Sequence, residues 1–310
     1  MISDLFSLTV LVGILSSGIR LATPYLYASI GETFSQRSGV LNLGVEGQML
    51  LGAFAAFYVV LNTGNLLLGV LAAMITGALM GLAMAFVTVN LHAQQGISGI
   101  GFYLFGLGMS NLLFQSMVGT VETVQGFPTI KIPILNEIPI FGDIFFNQNL
   151  LVYIAFLLVP LAWFVLNKTN LGLKIRAVGE NPEAADSLGV SVAGVRYFTI
   201  ILGGTLSGIG GASLSIALLN VFQQNMTAGL GFIAVALVYF GAWRPWGVLA
   251  GALLFSMVNA LQLWIQVLGI PVVSEFAVMM PYILTILVLV LTVSKVRSPS
   301  ALTKPFEREG

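Results

Sequence analysis

Apolar runs of about 20 residues recur along this chain, each long enough for a helix to cross a hydrocarbon core of roughly 30 Å. A lipid interior offers no water to backbone N–H and C=O groups, so only helices or a closed barrel can span it. A barrel would show alternating segments of about ten residues, and these are absent. The fold class is therefore all-α, a polytopic transmembrane helical bundle. Composition agrees: the chain is 57% hydrophobic and 8% charged, with a mean hydropathy of +0.99. The opening MISDLFSLTV has neither a positive n-region nor a small-residue cleavage site, so no removable signal peptide is expected. The lack of cysteine excludes disulfides, thiolate metal sites and thiol nucleophiles. Zero net charge without a basic cluster argues against a nucleic-acid partner.

The runs predict about nine spans, with eight to ten admissible. They fall at 5–30, 41–61, 66–90, 97–118, 150–167, 197–220, 228–242, 246–268 and 277–293. The first is interrupted by Arg20 and Pro24 and reads either as one span or as two half-segments. Orientation follows from Lys and Arg, which accumulate in cytoplasmic connections. Lys168, Lys174, Arg176 and Arg196 mark the 168–196 connection, and Lys295, Arg297, Lys304 and Arg308 mark the C-terminal tail. The 119–149 connection has only Lys131 beside Glu122, Glu137 and Asp143. The first two are expected to be cytoplasmic and the third outside. Counting spans from there puts 31–40 and the Arg244 turn inside. Residues 1–310 thus read as one transmembrane domain with a polar loop at 168–196.

That loop is a polar island. It holds seven of the chain's 24 Lys, Arg, Asp and Glu residues. Within it lie the start and stop signals of one short helix: Asn181 as N-cap, Pro182 at the first position, Glu183 in the first turn and Gly189 as terminator. Scarce charge spent on one short loop helix points to a partner, so the segment reads as a docking element.

Small residues recur every four positions in the third span, at Gly69, Ala73, Gly77, Gly81 and Ala85. The sixth span repeats the pattern with Gly203, Ser207 and Gly211, beside Gly204, Gly208 and Ala212. Such stripes let helices approach closely; a glycine-lined path or hinge is the alternative. Polar stripes run through two other spans, at Asn111 and Gln115, and at Ser256, Asn259 and Gln266 with Gln262 close by. An amide in hydrocarbon is costly unless paired, so these face protein or a water-filled path. Glu46 lies near the start of the second span, where an ionisable residue marks a functional site or a structural ion pair, with Arg37 or Arg20 as candidate partners. Glycines 39, 44 and 47 weaken regular helix around it, so Gly39–Gly47 reads as a broken helix start beside the path, with Asn42 and Glu46 sharing a face if it is helical.

Catalytic chemistry is missing. No GxxxxGK[ST] phosphate loop and no GxSxG elbow occur. His92 is the sole histidine, without companions at metal-ligand spacing, and reads as a loop residue at the membrane surface. No cofactor, metal or enzymatic activity is expected in this chain.

Four stretches carry a family resemblance: GETFSQRSGVLNLGVEGQMLLGA (31–53), QGFPTIKIPILNEIPIFGDIFF (125–146), LGLKIRAVGENPEAADSLGVSVAGVRY (171–197) and GLGFIAVALVYFGAWRPWG (229–247). In this order and spacing the chain resembles the permease subunits of bacterial ABC importers for branched-chain amino acids, simple sugars and nucleosides, the nucleoside (guanosine-type) branch most of all. The resemblance covers essentially the whole length. It implies the importer permease fold in the cell membrane, with a cytoplasmic coupling helix docked in a cleft of an ATPase subunit. That role would fall to Gly179, Glu180, Asn181, Pro182, Glu183, Ala184, Ala185, Asp186 and Gly189. It also implies a second, longer permease, a separate ATPase carrying ATP and Mg, and an extracytoplasmic substrate-binding lipoprotein.

Three departures bear on the substrate. Gln36 stands where the branch usually has an acid, His92-Ala93-Gln94-Gln95 where it tends to have Arg-Ala-Asp-Gln, and Phe102-Tyr103 where it has a small residue and Asn. The two aromatics read as filler of a helix interface or as a stacking surface for a nucleobase. The path candidates are thus Asn42, Glu46, Phe102, Tyr103, Asn111, Gln115 and Asn259, for a nucleoside or a related sugar-containing solute. A sugar or branched-chain amino acid permease is the alternative. An ion-coupled carrier would show an internal repeat and more buried charge, and a membrane scaffold would need neither docking loop nor polar stripes.

Overall fold

In the computed structural model the described residues are 7–133, 135–269, 279, 280, 283, 286, 287, 290 and 297–307. The described residues are mainly helical, with one two-stranded ribbon. Its elements are α1 (Leu8–Arg37), α2 (Val45–Thr63), α3 (Leu66–Ala85, continued by a π-helical turn Phe86–Asn90), α4 (Gln95–Met117), β1 (Thr129–Lys131), α5 (Phe141–Phe145) and β2 (Asn147–Asn149). There follow α6 (Leu150–Lys168), α7 (Asn170–Glu180), α8 (Pro182–Ser187), α9 (Val192–Ser213, continued by a π-helical turn Leu214–Leu218), α10 (Leu230–Phe240) and α11 (Pro245–Val267). Seven of these helices, counting the π-helical continuations, are long and apolar enough to cross a membrane.

Helix α9 is the axis of the bundle, packed on α1, α2 and α3. Glycine makes this possible on three sides. A Cβ on Gly52 of α2 would lie 2.6 Å from Cα of Gly208, and one on Gly81 of α3 would lie 2.8 Å from the Ile200 carbonyl oxygen. A Cβ on Gly31 of α1 would lie slightly farther off, 3.0 Å from Cα of Gly203. The two small-residue stripes therefore serve helix packing, and every member of the α3 stripe is buried. Backbones in such contact gain dispersion energy that bulkier side chains would forbid.

The polar connections gather at one end of the bundle. Residues 297–307 lie across it as a strap: Ala301 N–H donates to the Gly179 carbonyl (2.9 Å), Thr303 N–H to the Gly39 carbonyl (3.1 Å) and Ser300 Oγ to Glu180 (3.1 Å). His92, in the α3–α4 turn, hydrogen-bonds through Nε2 to the Phe306 carbonyl (3.1 Å) and pairs with Glu307 at 3.7 Å. Arg37 Nε donates to the Trp243 carbonyl (2.9 Å). The loops grouped by charge in the sequence thus share one end. At the other end β1 pairs antiparallel with β2, and Phe127 and Val124 bond to the last turn of α9 and to Asn220.

One open reading is resolved, one expectation changes and one lies largely outside the described residues. The 5–30 span is one continuous helix extended to Arg37, because Arg20 finds partners in β2: Nε donates to Gln148 Oε1 (2.8 Å) and Nη2 to the Asn147 carbonyl (3.3 Å). Pro24 sits inside it without breaking it. The 228–242 span is only α10, 11 residues, which reaches about 16 Å at 1.5 Å per residue, half the hydrocarbon core. Positive φ at Ala228 and Gly229 keeps the chain irregular up to its start. The 277–293 span lies outside the described residues but for 279, 280, 283, 286, 287 and 290.

Candidate functional site

Helix α10 begins at a half-buried turn, where Thr227 and Gly231 are buried and Gly229 and Leu230 are half-buried. Glu46, in the first turn of α2, supplies the missing acceptors. Its Oε1 accepts from Thr227 Oγ1 (2.6 Å) and Gly229 N–H (2.7 Å), and its Oε2 from Gly231 N–H (2.6 Å). An acid at a helix N-terminus also meets the positive end of the macrodipole. Glu46 therefore caps a distant helix; neither Arg37 nor Arg20 pairs with it.

The chain before α2 supports this junction. Residues 38–44 are non-helical, as the three glycines suggested, and regular helix resumes at Val45. Asn42 is consequently outside the helix and shares no helical face with Glu46. Its side chain instead organises the loop: Oδ1 accepts from Gly44 N–H (2.9 Å) and Nδ2 donates to Gln48 (3.1 Å). The Asn42 N–H donates to Glu32 of α1 (2.9 Å), which also receives Gln36 Nε2 (3.0 Å). Gln36 in turn accepts from Trp243 Nε1 (2.7 Å). One amide both donates and accepts here, which an ionised acid at this position could not do. Non-helical backbone is tolerated here because side chains accept from its N–H groups: Gln95 Oε1 from Leu41, Glu32 from Asn42 and Asn42 Oδ1 from Gly44, while Glu32 Oε2 and Gln48 Nε2 stay buried without partners.

Phe102 and Tyr103 lie against the same junction, since Gly47 packs directly on their backbone and Gly44 on the Phe102 Cβ. Tyr103 also meets Phe232 of α10 edge-on at 5.1 Å between centroids. Asn42, Glu46, Phe102 and Tyr103 are thus brought together. Asn111 and Gln115 follow further along α4, where Gln115 is exposed and Asn111 Oδ1 is buried with no partner. Asn259 stands apart on α11, which packs on α1, α6 and α10. Gln262 is buried and Gln266 exposed.

The loop helix has the expected ends. Asn181 Oδ1 accepts from Ala184 N–H (3.0 Å), Pro182 opens the helix and Gly189 takes φ +80° just after it. The helix is six residues long, and Ala185 is buried against the protein, so it cannot help form an outer contact surface. Glu180, Asn181, Glu183, Ala184 and Gly189 are exposed, while Gly179 is buried against the Arg37 carbonyl. Leu188, which the sequence reading passed over, is 85% exposed. A bare leucine beside a capped polar helix was the available signal. Among the described residues no group of three or more His, Asp or Glu could hold a metal.

The family described as branched-chain amino acid transport system / permease component matches residues 14–289. The chain belongs to it. It is 40% identical over 96% of its length, and 98% of the relative's, to the ABC transporter permease protein TsgC13 of Haloferax volcanii, whose glucose assignment is itself provisional. It is 38% identical to the nucleoside ABC transporter permease protein NupC of Lactococcus lactis, covering 90% of this chain and 92% of NupC. The guanosine ABC transporter permease protein NupQ of Bacillus subtilis is 36% identical, with 92% and 93% covered. A second guanosine permease protein of that bacterium, NupP, is 26% identical over 77% of this chain and 70% of its own length. No solved structure matches the chain. A multi-pass permease component of this family is not itself the ATPase: nucleotide belongs to an ATPase partner, and a binding protein completes such an importer.

Proposed function

We propose that this permease forms half of the path for a nucleoside or a related sugar-containing solute, paired with a longer related permease. The similarity to permeases named for nucleosides, guanosine and glucose carries the substrate reading. Chemistry supports it: the polar groups of the spans are mainly amides and hydroxyls, which suit a neutral polar solute better than a zwitterion. The exposed side of α4 supports the pairing. Gln115 is exposed there, and lipid would leave its amide unsatisfied. Gly101 and Gly108 on the same helix have no neighbour within 4 Å and leave room for a second helix. Two permease proteins in Bacillus subtilis match at unequal identity, consistent with a non-identical pair. The end bearing 168–196 and the tail is read as cytoplasmic from its Lys and Arg content, with α8 docking on the ATPase.

Reconstituted complex in liposomes tests the reading. ATP- and binding-protein-dependent uptake of labelled nucleoside, or of glucose or a pentose, is expected. Uptake of leucine alone would overturn the substrate class, and a homodimer of this chain by mass measurement would overturn the pairing.

A further inference from the structure

A cleft of ≈ 860 Å³ opens at the strapped end of the bundle, between the end of α1, the α6–α7 corner and the α10–α11 turn. Arg37, Arg176 and Arg244 line it together with Trp163 and Trp246. Two of the guanidiniums are anchored through Nε, Arg37 on the Trp243 carbonyl (2.9 Å) and Arg176 on the Gly172 carbonyl (3.4 Å). Among the described residues none of the three lies within 4.0 Å of a carboxylate; Glu180 is the acid that faces Arg37 and is held by Ser300. Helix α11 starts in the same wall, at Pro245, with no side chain capping its first N–H groups. Three like charges facing a single acid leave a net positive cleft that suits an anion.

The position selects its source. Leu157, Leu161 and Phe164 project from the outer side of α6, an apolar face suited to lipid tails. At the end of that face Lys168 stands over the Trp163 ring, 5.9 Å from its centroid. Tryptophan and basic residues ending an apolar span mark the headgroup depth. No residue of α8 lines the cleft, so it is separate from the element assigned to ATPase docking. Basic pockets between membrane helices at this depth hold phosphate headgroups.

We propose that this cleft binds the phosphate headgroup of an anionic membrane lipid. Arg176 and Arg244 would hold the phosphate oxygens and Trp163 and Trp246 would flank the glycerol. The assignment is independent of the transported solute. The test uses the assembled transporter in mild detergent, titrated with phosphatidylglycerol and read by native mass spectrometry. Wild-type chain should retain one tightly held lipid. Arg244→Gln, on an exposed side chain, should weaken retention roughly fivefold and Arg176→Gln/Arg244→Gln roughly thirtyfold, as expected for about one unit of binding energy per basic residue. Lys131→Gln, at the opposite end, should change nothing, and phosphatidylcholine and millimolar inorganic phosphate should not compete. Equal retention by wild type and the double variant would overturn the proposal. So would a double variant that keeps its lipid but loses the ATPase subunit, since the cleft would then be a protein contact.

Discussion

Two short helices in this molecule solve the same problem in opposite ways. Helix α8 and helix α10 both start with N–H groups that no helical carbonyl can reach. In α8 the acceptor is Asn181, three residues before the N–H it receives. In α10 it is Glu46, 183 residues from Gly229 and carried by another helix. Water surrounds the first and would stand in for a lost cap. The second is partly enclosed by protein and its cap comes from α2, so the cap and the packing of α2 on α10 are one interaction. Local caps shape a helix; a distant cap assembles a fold.

The comparison breaks if the two caps prove equally dispensable. Glu46→Ala should have the largest effect, about 4 kcal/mol, because it strands two buried donors, Thr227 Oγ1 and Gly231 N–H, and a half-buried one, Gly229 N–H. Thermal unfolding in detergent would show it, and a variant melting with the wild type would refute the cap. Glu46→Gln keeps the shape but loses acceptor strength, and should fall between.

Close packing around α9 comes next. Gly52→Ala and Gly77→Ala push a methyl into the α9 backbone and should cost about 1–3 kcal/mol each. Gly101→Ala and Gly108→Ala on open α4 should leave the isolated chain as stable or slightly more so, since Ala favours helix over Gly by about 1 kcal/mol. Weakened association with a second permease in those two variants would sharpen the reading of α4 as the paired face; unchanged assembly would count against it.

Loss of the local cap is smaller and confined. Asn181→Ala should cost about 1 kcal/mol, seen as faster amide exchange in 182–188 without a shift in the melting of the bundle. A lowered global melting temperature would mean that α8 is part of the core after all. Ala184→Trp, on an exposed side chain, should change stability by less than about 0.5 kcal/mol. It should nevertheless uncouple ATP hydrolysis from uptake, and normal transport by it would remove α8 from the ATPase interface.

Legibility in the sequence followed the range of the interactions. Asn181, Pro182 and Gly189 could be read because their partners lie within a turn. The glycine stripes of α3 and α9 could be read as packing faces because helical spacing places them on one side. Glu46 stood out as a charge among apolar residues, yet the local candidates for its partner, Arg37 and Arg20, were both wrong. Each of those is claimed elsewhere, Arg37 by the Trp243 carbonyl and Arg20 by Gln148. Ala185 and Leu188 were mistaken or missed for a similar reason. A six-residue helix has an inside only once it lies on the protein.

The sequence by itself determined that the chain crosses a membrane as helices, which ends gather positive charge, where the loop helix starts and stops, and to which family it belongs. These depend on run length, local capping and motif order, all properties of neighbouring residues. The tertiary structure decided that α1 is a single helix, that α10 goes only partway, and that Glu46 joins it to α2. Those outcomes rest on hydrogen bonds between residues more than 100 positions apart, and in an interior without water a polar group's conformation is set by whichever partner the fold brings to it.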